Sequence, residues 1–177
     1  MVINSSRRVL FFSLVAAAAM AFTGCAPSVR YAEDASGKQH YYVPSNWDYR
    51  ANYKVPEAKL KRIVDSYVGA RYKNGGMERS GFDCSGFVCV VFRELNHARL
   101  PRSTGKLKRL GSAVSPDDAR IGDLVFFHGG VFGGINHVGI YMGKRTFAHS
   151  STSKGVTYDA LDDEYYQKHF GMIRRIF

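Results

Sequence analysis

Residues 81–95 read Gly-Phe-Asp-Cys-Ser-Gly-Phe-Val-Cys-Val-Val-Phe-Arg-Glu-Leu. Phe87, Val88, Val91 and Leu95 fall on one side of a helix that starts at Cys84. Gly81 and the Gly-rich stretch from Asn74 lead into it as a loop. Cys84 is therefore expected at a helix N-terminus, where unpaired backbone N–H groups and the helix dipole favour an anion. A thiol so placed is expected to have a lowered pKa. The same N–H groups could hold the oxyanion of a tetrahedral intermediate. This motif alone leaves a buried, inert cysteine equally open.

Upstream, Pro56 suits a first helical position, and Leu60, Ile63, Val64 and Tyr67 recur at helical spacing up to Gly69. Downstream of Pro101 the texture changes to strands. These are Asp123–His128 (DLVFFH), Asn136–Met142 (NHVGIYM), Thr146–Ser150 (TFAHS), Val156–Tyr158 and Met172–Ile176, with a short helix over Leu161–Phe170. Helices first and an antiparallel sheet second predict an α+β domain over residues 55–177. The stretch Val131–Gly134 has no phosphate-loop pattern and reads as a flexible lip.

The N-terminus has the order of an export signal. Arg7 and Arg8 precede an uncharged apolar run from Val9 to about Phe22, too short for a span of roughly 20 residues. Residues 22–25, Phe-Thr-Gly-Cys, resemble a bacterial lipobox, which implies removal of residues 1–24 and lipid on Cys25. An uncleaved anchor helix is the alternative, and both place the domain outside the cytoplasm. Residues 25–54 lack a sustained period and read as a tether. The aromatics Tyr41, Tyr42, Trp47, Tyr49 and Tyr53 suggest that its second half packs on the domain.

The formal charge is +10, and loss of residues 1–24 leaves 23 basic and 15 acidic residues, or +8. A basic exported chain has the carboxylate-rich cell wall as its expected anionic partner, not nucleic acid. Cys84 and Cys89 would lie about 140° apart on one helix, a poor geometry for a disulfide. Cys89 reads as a small core residue.

A thiol nucleophile needs a base and a group to orient it. His137 and His149 lie on neighbouring strands, with Gly143-Lys144 as the expected turn centre. A two-residue turn there would set His137 opposite Ser150 and turn His149 away. For the two histidines to face each other, the loop must be odd, such as Met142 to Lys144, or hold a bulge. His137 would then take the thiol proton and later protonate the leaving amine, while His149 fixes its tautomer. A zinc site on Cys84, His137 and His149 lacks any familiar ligand spacing. No cofactor is expected. His97, His128 and His169 have no partner legible in the sequence.

The series DCSGFV, LPRST, GDLVFF, HVGIY and FAHSST, in this order from about Val55 to Phe177, resembles the NlpC family of cell-wall peptidases, also written NlpC/p-sixty. The resemblance implies a papain-like fold, with a catalytic helix packed on an antiparallel sheet. It also implies a Cys–His–His triad of Cys84, His137 and His149. Tyr72, in GARYKNGG, matches a family tyrosine whose hydroxyl lies near the nucleophile. Asp83, Ser85 and Ser103 match positions that line the substrate pocket in relatives, although Asp83 equally suits a helix N-cap. Departures are the basic run Gly105-Lys106-Leu107-Lys108-Arg109 where many relatives carry a Gln, and Ile121 where many carry Pro.

A one-domain lipoprotein of this kind is similar to the Spr-type murein endopeptidases. That likeness implies a hydrolase that cuts peptidoglycan cross-links or stem peptides at diaminopimelate bonds, and a monomer is expected. Ala26 after the lipidated position favours the periplasmic face of an outer membrane. A non-catalytic wall-binding lipoprotein and a thiol acyltransferase or amidase on the same fold remain the alternatives.

Overall fold

The computed structural model describes residues 54–129 and 133–177, and the backbone of 30–33 and 39–42. The lipobox with Cys25, and Trp47, Tyr49 and Tyr53, lie outside the described residues. Within the expected tether, β1 (Arg30–Glu33) and β2 (Gln39–Tyr42, which takes in Tyr41 and Tyr42) form an antiparallel ribbon that no sequence period announced. A two-stranded ribbon is marginal on its own.

The domain opens with α1 (Glu57–Asp65), N-capped at Pro56, which buries Leu60 and Val64. The helix ends before Gly69, whose φ of 83° serves the turn that follows. The short ribbon β3 (Met77–Glu78) and β4 (Gly81–Phe82) comes next and delivers the chain to α2 (Cys84–Asn96). After α2 come the one-turn α3 (Thr104–Leu107), β5 (Ser112–Val114) and a 3-10 turn at Pro116–Asp118. The remaining elements are β6 (Leu124–His128), β7 (Ile135–Gly143), β8 (Thr146–Ser151), β9 (Gly155–Ala160), α4 (Glu164–His169) and β10 (Phe170–Arg175).

The main sheet has the order β5-β10-β6-β7-β8-β9 and every pair in it is antiparallel. The α+β expectation holds, and the long strands fall within one or two residues of their predicted bounds. β5 and α3 have three and four residues, too few for a period to be read.

The two faces of the sheet carry separate cores. Phe87, Val88, Val91 and Phe92 of α2 pack with Phe126, Val138, Ile140 and Ala148 on one face. Val125, Phe127, Tyr141 and Phe147 form the other, with Tyr166 of α4 against them. Each fully buried aromatic or aliphatic side chain contributes roughly 1.5–3 kcal/mol. This clamps α2, and with it Cys84, against β7 and β8.

Candidate active site

Cys84 begins α2, as its sequence predicts. Its N-cap, Asp83, accepts from the Gly86 backbone N–H at 2.7 Å and from that of Gly75 at 2.9 Å. Arg102 grips the same carboxylate with two bonds, at 2.8 and 3.0 Å. It also donates to Ser85 Oγ at 2.8 Å and to the Gly76 carbonyl at 3.1 Å. Gly86 permits this close packing, because a Cβ there would lie 2.1 Å from the Gly76 carbonyl oxygen. The Arg102 guanidinium and the backbone N–H of Gly86 outweigh burial and hold the Asp83 carboxyl below its ordinary value.

This arrangement revises the expected pocket. Asp83 and Ser85 are both buried and their polar atoms are engaged in anchoring the start of α2. No free carboxylate is left there to receive a substrate's amino group. Ser103 is exposed and caps α3 by accepting from Lys106 N–H. The buried neighbour of the thiol is Thr104, whose Oγ1 lies 3.7 Å from Cys84 Sγ. The sequence reading missed Thr104 by one position. Only the cap geometry of α3 reveals which of the two hydroxyls turns inward.

Cys84 Sγ also lies 3.8 Å from the Asn136 carbonyl oxygen and takes a hydrogen bond from the Val138 backbone. The thiol thus touches β7 on both sides of His137. Burial pushes the thiol pKa up, more than the hydrogen bonds from Thr104, Val138 and Ser85 bring it down, and the charge of Asp83 adds to the rise. The lowered pKa expected of a helix N-terminus is therefore not found. Desolvation at the packed start of the helix raises it instead. Cys89 is a second free thiol, buried against the Leu100 and Pro101 carbonyls, with its pKa pushed up to about 11 by burial.

The histidines meet through a bulge. The β7–β8 turn residues are Lys144 and Arg145, both with positive φ, one position later than expected. Thr146 pairs with Gly143, and a register shift then sets Tyr141 against Phe147 and Ile140 against Ala148. Continued, that register puts His149 across from Gly139, with His137 diagonal to it on the same face. The bulge required for a shared face is present, and the rings meet diagonally rather than head on. His137 Nε2 lies 2.8 Å from His149 Nδ1. Gly139 keeps the space open, since a Cβ there would come within 2.7 Å of the Phe147 ring and 3.2 Å of His149 Cβ.

Two residues unmarked in the sequence complete the cluster. His149 Nε2 lies 3.0 Å from Asp159 Oδ2, and the Tyr166 hydroxyl donates to the same oxygen at 2.7 Å. Lys154 Nζ donates to Asp159 Oδ1 at 3.0 Å. The strand read from the sequence stops at Tyr158, one residue short of Asp159, and the sequence cannot tell which strand lies beside it. Tyr72 is half-buried, and burial followed by the charges of Cys84 and Asp83 raises its pKa, so it sits near both with its hydroxyl protonated at neutral pH.

Three further histidines among the described residues have other partners or roles. His97 is the left-handed C-cap of α2, His128 donates to the Gly133 carbonyl, and His169 is bonded to Tyr165 O. Residues 131 and 132 of the expected lip lie outside the described residues. Among the described residues, no group of three His, Cys, Asp or Glu side chains could hold a metal ion.

Burial and the charge of His149 push the His137 pKa down to about 3, and burial lowers that of His149 also. In the unfolded chain each would titrate near its ordinary value of 6.5. Below that pH the unfolded chain binds more protons than the folded one, so stability falls as pH drops from about 6.5 toward 3. Thermal melts are expected to lose several degrees between pH 7 and pH 4.5, and less in the His137→Gln variant. Equal slopes in the two proteins would show that His137 is not held neutral by the fold.

A helix-borne thiol packed on an antiparallel sheet that carries paired histidines defines a papain-like domain. The chain belongs to the NlpC/P60 family, whose profile matches residues 69–175. It is 44% identical over 118 residues to the murein DD-endopeptidase MepS/murein LD-carboxypeptidase of Escherichia coli (strain K12), a match that covers 65% of this chain and 62% of that protein. It is also 44% identical over 119 residues to the probable endopeptidase NlpC of the same strain, covering 67% of this chain and 77% of that one. The crystal structure of an NlpC/P60 family protein from Bacillus cereus ATCC 10987 superposes with a TM-score of 0.63 at 28% identity, over 70% of this chain and 42% of that chain. The chain thus spans about three fifths of the length of the MepS relative.

Proposed function

We propose that this protein is a cysteine peptidase that hydrolyses peptide bonds of bacterial peptidoglycan. One observation carries the reading. A free thiol at the start of α2 touches the backbone on both sides of a histidine that is itself hydrogen-bonded to a second histidine. Burial raises the thiol pKa and lowers that of His137, so both rest neutral. The nucleophile then forms as the substrate carbonyl enters and is not stored as a thiolate. His137 takes the thiol proton as sulfur attacks the scissile carbonyl. The backbone N–H groups at the start of α2 and the protonated Tyr72 hydroxyl are the donors for the oxyanion. The imidazolium then protonates the leaving amine, and His137 activates the water that releases the acyl group. No cofactor enters these steps.

The names of the relatives direct attention to murein peptides, and two bonds are candidates. One is the cross-link from D-alanine to diaminopimelate, the other the bond from γ-D-glutamate to diaminopimelate within a stem. Lipid on Cys25, a position on the periplasmic face of the outer membrane and a monomeric state belong to the same proposal. They rest on the sequence of the N-terminal segment and on family likeness.

Digestion of intact peptidoglycan, with fragments identified by mass spectrometry, tests the activity. Wild type is expected to release cleaved dimers or stems, and Cys84→Ala none. Cleavage by both proteins would remove Cys84 from the mechanism. Binding to the wall without cleavage by either would favour a non-catalytic wall-binding module.

A further inference from the structure

The hydrogen-bond chain behind His137 has a direction, and its far end sets it. Asp159 is well buried, and its carboxylate is held by three donors on three different elements. These are His149 on β8, Lys154 in the β8–β9 turn and Tyr166 on α4. A carboxylate oxygen only accepts, so at 3.0 Å His149 Nε2 must carry the proton it faces. Tyr166 cannot reverse this, since its hydroxyl lies 2.7 Å from Asp159 Oδ2 and 3.3 Å from His149 Nε2, so its proton goes to the carboxylate. With Nε2 protonated and the ring neutral, His149 Nδ1 is an acceptor. The nitrogen 2.8 Å away, His137 Nε2, must then be the donor. A neutral His137 protonated at Nε2 has its lone pair on Nδ1, the nitrogen that His149 does not occupy.

We propose that Asp159 is a positioning residue that acts through His149 to fix the tautomer of His137, leaving His137 Nδ1 as the base for the Cys84 thiol. The inference rests on the hydrolase reading for its catalytic consequence but not for the tautomers themselves. The charged and titratable groups facing His149 are His137, Asp159 and Tyr166, with Lys154 behind Asp159. Without an acceptor at Asp159, His149 could carry its proton on Nδ1 and donate toward His137. His137 would then bear its own proton on Nδ1, where a base is needed. Asp159 also raises the proton affinity of His137 through space, which favours the imidazolium formed during reaction.

The test uses the full chain and three proteins: wild type, Asp159→Ala and Asp159→Asn. The asparagine amide oxygen can still accept from His149 Nε2–H, so this variant keeps the tautomer and loses only the charge. Nitrogen-15 NMR of the imidazoles at pH 7 is expected to show Nε2–H for His137 and His149 in wild type and Asp159→Asn, and an Nδ1–H population in Asp159→Ala. On peptidoglycan peptides, kcat is expected to fall about 10- to 100-fold in Asp159→Ala with KM little changed, and to be largely restored in Asp159→Asn. Nδ1–H on His149 in wild type would overturn the proposal. So would an Asp159→Ala protein with unchanged imidazole signals and unchanged kcat. If the tautomers respond as expected and no protein cleaves peptidoglycan, the hydrolase reading fails and the assignment of Asp159 stands.

Discussion

Replacing His137 with alanine is expected to slow peptidoglycan peptide cleavage by about a thousandfold, within the range for loss of a general acid–base. The nearby Tyr72 hydroxyl is already protonated, and His137 is the neutral imidazole on the stretch of β7 whose backbone touches Cys84. Its neighbours Thr104, Asn136 and Val138 offer a hydroxyl, a carbonyl and a backbone hydrogen bond. The loss should appear in kcat more than in KM, because the proton moves only on the way to the transition state. Residues that act as one unit are not additive, so the double variant with Cys84→Ala should be no slower than Cys84→Ala alone. The fold should survive, since the His137 ring gives up one hydrogen bond to His149 and a tilted contact with Phe127. Steady-state kinetics with a thermal melt as control would check this. A His137→Ala enzyme that retained most of its rate would reassign the base.

The largest effect on stability is expected at Arg102. Arg102→Met leaves the Asp83 carboxylate buried without its cation, at a cost toward the low end of the about 3–5 kcal/mol for breaking a buried pair from one side, because the Arg102 side chain is 24% exposed. It also strips donors from Ser85 Oγ and the Gly76 carbonyl, which brace the first turn of α2. Adding Asp83→Asn should recover much of the loss, because asparagine still caps the helix and carries no charge. Urea denaturation of wild type, the single variant and the double variant would separate these contributions. An unchanged midpoint for Arg102→Met would mean that the ion pair is not a support of the site. Because the supported turn carries Cys84, the single variant should lose activity before it loses its fold.

Arg102 and Asp83 are 19 residues apart in sequence, and the part-buried ion pair between them was not legible there. The motif DCSGFV named Asp83 and Ser85 but could not say whether they face a substrate or the protein. Packing decides that, because Gly86 lets the backbone of Gly76 close over the start of the helix. A similar choice separates Ser103 from Thr104. Either hydroxyl could line a pocket, and the turn of α3 buries only Thr104.

Local sequence was sufficient for the helix that begins at Cys84, for the long strands and for the two histidines as a pair. Each rests on a period or a short motif, which depends on neighbours in the chain. It also limited how the histidines could meet, since two side chains share a sheet face only if loop length and bulge give the right parity. The bulge itself, the diagonal contact of His137 with His149, and the recruitment of Asp159 and Tyr166 were decided by tertiary structure. These depend on which strand and helix pack beside β8, and that depends on contacts between residues far apart in sequence. The thiol pKa belongs with them. The N-terminus of α2 predicts a lower value, and burial of that end against β7 and α3 raises it, because desolvation depends on what surrounds the sulfur and not on where the helix starts.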